Sequence, residues 1–382
     1  MKKALFVTGS LERGGAEKHL LALLPLLVER GFDVRLYVFN KYGPLSDDFK
    51  KKGIQCIGLD CPARGWSSGW FSKIFRAMRT GAHLLHLYWC YKPDIIHFFL
   101  PQAYILGGLT SLLYPNVIRI MSRRSLSLYQ QNQPVLAWME KRLHRKMDVV
   151  MANSKAIFDE LIVEGVPLYK LQICYNGVIV PHLETQKTDV ELRKIWNIPE
   201  DAIVFVMVAN LIFYKGHADL IDAFAICSNQ LPRDWRLLLV GRDDGIGAFL
   251  LQKSIAAGLV ENIIFAGEQE STADFLSMSD IGILSSHEEG FSNSILEAMY
   301  AELPMVVTDV GGNREIVEDG VQGCVVPAKA PRFLADALLE LSQNKEKRIQ
   351  MGKSGRDRVL KRFNMSVCAD CYEMVYNSKL SS

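Results

Sequence analysis

The sequence lacks several features that would have decided its class at once. No apolar run reaches the ~20 residues a membrane-spanning helix needs. The longest lipid-like stretch, AYILGGLTSLL at 103–113, falls well short. No signal peptide is expected at the start, because ALFV after Lys2 and Lys3 meets Gly9 at strand length. A cytoplasmic protein that does not cross a membrane is expected. The eight cysteines have no disulfide-framework spacing, and a chain of 382 residues needs no such staples. Cys368 and Cys371 form a C-x-x-C without a second pair or flanking glycines, so reduced thiols are expected. No D-x-D occurs and no His/Asp cluster has metal-ligand spacing, so no metal and no other cofactor is expected. A net charge of +2 gives no sign of a nucleic-acid partner.

What is present points to a two-domain enzyme. At ~100–200 residues per domain, this length suggests two cores. Apolar residues at 49% and charged ones at 23% describe a globular protein. Short apolar runs alternate with helix-length amphipathic segments: ALFVT, VRLYVF, IQCIGL, IIHFF, VIRIM and VVMA, then IVFVMV, RLLLV, IIFAG, IGILS, MVVT and GCVV. Such alternation predicts parallel sheets covered on both faces by helices. The polar stretch 180–202 has no strand pattern and reads as a connection plus an entry helix. Domains of 1–180 and 181–364 are expected, with a last helix at about 365–382 crossing back to the first. Two doubly wound domains facing across a cleft would place a ligand at their strand C-termini.

The most informative stretch is HEEGFSNSILEAMYAELPMVVTDVGG, 287–312. A strand ends at Ser286 and a helix begins near Ser294, capped by Ser292, Asn293 or Ser294. The helix N-terminus is a natural seat for a diphosphate. Gly290 lets the backbone approach a ligand closely. Glu297, on the first helical turn, suits a ribose diol, and Glu289, at the strand tip, suits a sugar hydroxyl. Ser294 and Glu297 read equally well as a capping box.

EGFSNSILEA (289–298), followed by PMVVTDVGGNREIVEDGVQGCVVP (304–327), resembles the E-x7-E signature of the retaining family-4 glycosyltransferases of GT-B fold. ERGGAEKHLLALLPLLVERGFDV (12–34), VMANSKAIFDELI (150–162), ICYNGVIV (173–180) and YKGHADLIDAF (214–224) are similar to further family elements, so the resemblance covers almost the whole chain. It implies two Rossmann-like domains and transfer of a hexosyl unit, with retention, from a nucleotide sugar, most simply a UDP-sugar. The acceptor would be a glycan or lipid-linked glycan in cell-surface polysaccharide or glycolipid synthesis. It further implies a metal-independent, front-face departure of the diphosphate.

By the same resemblance Lys215 binds the donor diphosphate, and a fixed ammonium there would stabilise the leaving group's growing charge. Phe291, Ser292, Asn293 and Ser294 would offer backbone N–H groups. The position of a family arginine five residues before Lys215 is Asn210 here. Gly14 and Gly15 would pass close to donor phosphates or acceptor, while Glu17 answers the dipole of its helix. His97 reads either as a site-facing side chain at the end of IIHFF or as a structural histidine. Where relatives carry a second histidine, IMSRRSLSLY (120–129) has Arg123 and Arg124, an S-R-R-S-L branch of the family. Either arginine could hold a phosphate-bearing acceptor or assist the leaving group.

From Cys61 to Met139, eight Lys/Arg stand against one acid, Asp94. Within that span 70–89 has helical period, with Trp70, Phe71, Ile74, Phe75 and Met78 on one side and Lys73, Arg76, Arg79 and His83 on another. Together with Trp66, the stretch 66–92 reads as a basic interfacial helix that would hold the protein on the inner face of a membrane. It reads equally as a helix packed on its own sheet. The rivals to a transferase are a catalytically silent nucleotide-sugar-binding protein and a sugar-nucleotide epimerase of the same architecture.

Overall fold

A computed structural model describes residues 1–12, 14–59, 70–127, 130, 133–179, 188–232 and 234–381, with backbone alone at 40, 41, 70–73 and 102. The chain divides into two compact units, Met1–Gly177 with Met365–Ser382, and Val178–Asn364.

The first unit is built on a seven-stranded sheet. Its strands are β1 (Lys2–Ser10), β2 (Phe32–Lys41), β3 (Gln55–Gly58), β4 (Ile95–Phe99), β5 (Ile118–Arg123), β6 (Val149–Ala152) and β7 (Leu171–Ile173). They lie in the order β3-β2-β1-β4-β5-β6-β7, and every pairing is parallel. Ala4, Leu5, Phe6 and Val7 are all fully buried, as a continuous apolar strand must be when both faces are covered. Ala4 and Phe6 face the first helix (Gly15–Glu29) and the last (Met365–Leu380). Leu5 and Val7 face the helices Trp70–Tyr91 and Pro101–Ser111 on the other side. The sequence pattern misses β7, whose three residues are too few to show a period.

The last helix returns to the first unit, where Tyr372 and Tyr376 join the core. There Cys371 is bonded to Cys174, 197 positions earlier, across a Cα–Cα distance of 6.0 Å. This corrects the expectation of uniformly reduced thiols: the partners meet only because the helix packs beside the end of β7. A cross-link of this kind contributes roughly 2–4 kcal/mol. Cys368 stays free and buried, its thiol pushed up to about 12 by burial, so it is no nucleophile.

The second unit holds β8 (Ile203–Val208), β9 (Trp235–Val240), β10 (Ile263–Gly267), β11 (Ile281–Leu284), β12 (Met305–Thr308) and β13 (Gly323–Val326). The order is β10-β9-β8-β11-β12-β13, again all parallel. Of the polar connection, 180–187 lie outside the described residues; Thr188 and Glu191 then form a capping box that starts the helix Asp189–Ile195. In each sheet the strand order reverses once, between β1 and β4 and between β8 and β11. Ligands of open α/β sheets bind beyond the strand C-termini at such reversals.

Candidate functional site

At the second unit's reversal, β8 and β11 lie side by side, and each delivers one charged residue just past its end. After β8 a single tight turn, Phe213–Lys215, presents Lys215. Gly216 follows with φ +71°, and a Cβ there would lie 2.0 Å from the carbonyl oxygen of Ser285. Only glycine allows that approach, which seats the turn on the end of β11. Ser285 Oγ donates to the carbonyls of Lys215 (3.2 Å) and Gly216 (3.0 Å). Lys215 Nζ then meets Glu289 Oε1 at 2.5 Å, and Ser286 Oγ donates to the same oxygen at 2.8 Å. The side chains remain 18% and 9% exposed. Gly311 (φ +51°) backs this loop so closely that a Cβ would stand 1.7 Å from the Glu289 carbonyl, and Gly312 N–H donates to Gly290 O at 3.1 Å. The two adjoining sequence motifs are therefore one structural piece.

Beyond Gly290 the helix Asn293–Tyr300 begins, with Ser292 as N-cap and no side-chain cap hydrogen bond. Ser292 Oγ pairs instead with Ser294 Oγ at 3.0 Å. Glu297 stands on the second turn rather than the first, and its capping box with Ser294 does not form because the cap lies two residues earlier. Its Oε2 accepts a hydrogen bond from Thr272 Oγ1 at 3.2 Å. Asn293 and Ser294 are half-buried, whereas Phe291 is buried edge-on against Phe363 and offers the site only its backbone. Asn210 is exposed and donates to Asp244 Oδ2 (3.1 Å), a carboxylate that Arg242 also grips through Nε (2.6 Å) and Nη2 (3.2 Å). The Arg242 bonds, and after them Asn210, hold Asp244 below its ordinary pKa. Beneath Lys215, burial and then the lysine's charge lower His217 to about 4, so it is neutral.

The corresponding residues of the first unit are placed differently. His97 is not at a strand tip facing outward; two strand residues follow it, and its ring points to the face that the last helix covers. It is fully buried, with Nδ1 2.6 Å from Tyr376 Oη and Nε2 2.7 Å from Ser122 Oγ, and it stacks between Phe6 and Tyr372. Burial holds it well below its ordinary pKa, with Arg124's charge adding to the effect. Arg123, expected on the acceptor side, is 2% exposed and turned inward. It forks onto both oxygens of Glu164 (3.0 and 2.9 Å) and lies 3.3 Å from Glu140, while His144 reaches Glu164 at 3.0 Å. Despite burial, the bonds from His144 and Arg123 hold Glu164 below the ordinary carboxylate range. These two corrections have one cause: a polar side chain on β4 or β5 meets a covering helix before it meets solvent.

Arg124, half-buried, donates to Asn176 Oδ1 at 2.7 Å and faces the Phe99 ring at 5.8 Å. Glu17 is 7% exposed, its carboxyl raised by burial and opposed by its own backbone N–H and by Arg124. Gly15 is exposed, and Gly14 packs against Glu17 Oε2. Of the predicted residues, Lys215, Glu289, Gly290 and Ser292–Ser294 come together in the second unit, with Glu297 on the next turn. Ser286, Thr272, Arg242 and Asp244 were not anticipated. The G-R-D-D after the strand RLLLV was the one sequence signal for Arg242 and Asp244.

Two doubly wound parallel sheets with this charged reversal in the second define the GT-B class. The family model Glycosyltransferase Family 4 matches residues 13–180, and that for Glycosyl transferases group 1 matches residues 189–358. The chain belongs to the family-4 glycosyltransferases of GT-B fold. It is 29% identical over 229 residues to N-acetyl-alpha-D-glucosaminyl L-malate synthase of Bacillus anthracis, spanning 60% of this chain and 59% of that enzyme. It is 23% identical over 378 residues to the UDP-Gal:alpha-D-GlcNAc-diphosphoundecaprenol alpha-1,3-galactosyltransferase of Escherichia coli, spanning 95% and 93% of the two chains. In fold it matches Alr3699/HepE of Anabaena, solved in complex with UDP, at a TM-score of 0.84, 20% identity and coverage of 99% and 100%.

Proposed function

We propose that this glycosyltransferase moves a hexosyl unit from a UDP-sugar to a lipid-linked or free glycan, with retention of anomeric configuration and without a metal. The observation that carries the reading is the Lys215–Glu289 pair at the β8/β11 reversal, beside a helix N-terminus whose cap side chain bonds elsewhere. A diphosphate seated there would draw the ammonium from Glu289, and the N–H groups at Ser292–Ser294 would take its oxygens. Glu289, released, would accept from hydroxyls of the transferred sugar. Glu297, oriented by Thr272, would take the ribose diol. Charge that grows on the leaving diphosphate would find its partners already fixed, the condition for rate enhancement. The acceptor hydroxyl would enter on the face the diphosphate leaves, its proton passing to a departing phosphate oxygen. Structures of HepE with UDP-glucose, and the undecaprenol-linked acceptor in the name of the Escherichia coli relative, support the substrate classes. A calorimetric titration with UDP-sugars tests the reading, coupled to release of UDP on adding polyprenyl-diphosphate glycans. Failure of every UDP- and GDP-sugar to bind would refute it, while turnover to an isomerised nucleotide sugar would favour an epimerase.

Peripheral attachment to an anionic membrane on its cytoplasmic side fits the same acceptor. No helix among the described residues is long and apolar enough to cross a membrane. The helix Trp70–Tyr91 exposes Phe75 (55%) and Met78 (68%) beside Arg76 and Arg79; Trp66 lies outside the described residues. The helix Pro134–His144 exposes Val135 and Trp138, with Arg142 5.2 Å from the indole centre. Each basic residue at an anionic surface adds about 1 kcal/mol. Sedimentation with phosphatidylglycerol vesicles at low salt should capture the protein, and phosphatidylcholine vesicles should not; equal behaviour with both would remove this part.

A further inference from the structure

We propose that His287 and Asp219 form a positioning pair that holds Lys215 on the donor diphosphate. The proposal rests on the reading that Lys215 meets that diphosphate. Lysine reaches its partner through four flexible torsions, so its placement depends on how firmly its backbone is held. Three bonds tie the Phe213–Gly216 turn to the segment after β11. Two come from the hydroxyl of Ser285, already described. The third is His287 N–H to the Tyr214 carbonyl, at 2.6 Å. The imidazole then extends the stitch one helical turn further, its Nε2 2.8 Å from Asp219 Oδ2.

Asp219 lies in the first turn of the helix His217–Cys227, whose N-cap is Gly216 itself, so the helix dipole favours its charge. The Nε2 atom also lies 3.3 Å from where a Gly216 Cβ would stand, so the ring is packed against the residue that follows Lys215. His287 thus holds the turn at both ends, its backbone N–H on Tyr214 and its imidazole against Gly216 and Asp219. The pair is about a quarter exposed, with His287 at 24% and Asp219 at 23%, so as a surface ion pair it would contribute little to stability. Its effect is expected in placement, where a displacement of about 1 Å in a binding group can cost up to ~100-fold. His287 touches no reacting atom in this reading; it acts through Lys215.

The test uses UDP as probe and a double-mutant cycle with Lys215. His287→Ala and Asp219→Ala should each weaken UDP about 5- to 20-fold, and the double variant should be no weaker than either alone. His287→Gln, which keeps a donor for Asp219, should bind within about threefold of the parent. In a Lys215→Ala background, His287→Ala should have no further effect. Full loss from His287→Ala in that background, or parent-like affinity of His287→Ala alone, overturns the proposal while leaving the site intact. If Lys215→Ala itself leaves UDP binding unchanged, the site reading falls and this inference falls with it. An unfolding midpoint measured without UDP for each variant separates lost placement from lost fold.

Discussion

At the β8/β11 reversal of the second unit, the charged side chains stand in the loops that follow the strands and stay partly open. Around the β1/β4 reversal of the first unit, His97 and Arg123 are sealed under helices. The architecture is the same and the residue types are similar, yet one rim presents charge while the other encloses it. The difference lies in whether the residue stands on the strand or in the loop after it, and in what covers it. Glu289 comes five residues after β11 ends and follows a loop that Gly311 allows to fold tightly. His97 has Phe98 and Phe99 after it and the last helix above it. A polar residue near a strand end is thus a binding group only if no helix reaches it first.

The largest effect that would sharpen the contrast is Arg123→Leu. It leaves Glu140 and Glu164 buried without their main cation, which should cost about 3–5 kcal/mol of stability in urea. Activity per folded molecule should hold; a specific loss of turnover with stability intact would return Arg123 to the acceptor side. Lys215→Ala should behave in the opposite way. Transfer should fall about 10²- to 10³-fold, since a pre-placed cation on the leaving group is lost. Stability should move by less than about 1 kcal/mol, because the pair it leaves is partly solvated.

Acid should probe both units through buried imidazoles. The folded-state pKa of His217 is lowered to about 4 by burial, and His19 and His97 are held well below 6.5 for the same reason. A group lowered on folding binds fewer protons folded than unfolded, so its stabilising effect is complete above 6.5 and is lost as pH falls towards its folded pKa. At pH 5 His217 should cost about 2 kcal/mol relative to neutral pH, and His19 and His97 should act in the same direction. Glu17, raised by burial, acts in the opposite sense: its favourable share is present below its ordinary pKa and fades as pH rises through the folded value. Two of the three histidines sit in the first unit, so amide exchange at pH 5 should rise there first. Uniform loss in both units would break the comparison.

The fold was legible because parallel strands buried on both faces are written as unbroken apolar runs; only the three residues of β7 escaped. The loop from Ser286 to Ser294 was legible too, since glycine, serine and acid at fixed spacing mark a tight approach to a helix start. What escaped depends on neighbours distant in sequence. Asn210 meets Asp244 because β8 and β9 are adjacent, and Cys174 meets Cys371 because the last helix returns. His97 was ambiguous because burial is decided by Tyr376, 279 residues away. Glu297 was misplaced by one turn because three successive candidates for the cap cannot be ranked without the backbone.

The smallest expected effect concerns that same Glu297. Its oxygen takes a hydrogen bond from Thr272, at the head of the short helix Ala273–Ser277, so two segments after different strands agree on one carboxylate orientation. Thr272→Val removes the donor and nearly preserves the shape. Because the carboxylate is half-buried rather than sealed, the loss should be about 0.5–1 kcal/mol, or two- to fivefold in UDP affinity. Affinity for pyrophosphate alone should not change, since the nucleoside end is the part Glu297 is proposed to hold. If pyrophosphate binding falls in parallel with UDP, Glu297 acts on the helix start rather than on the ribose, and the second unit's rim would serve the diphosphate only.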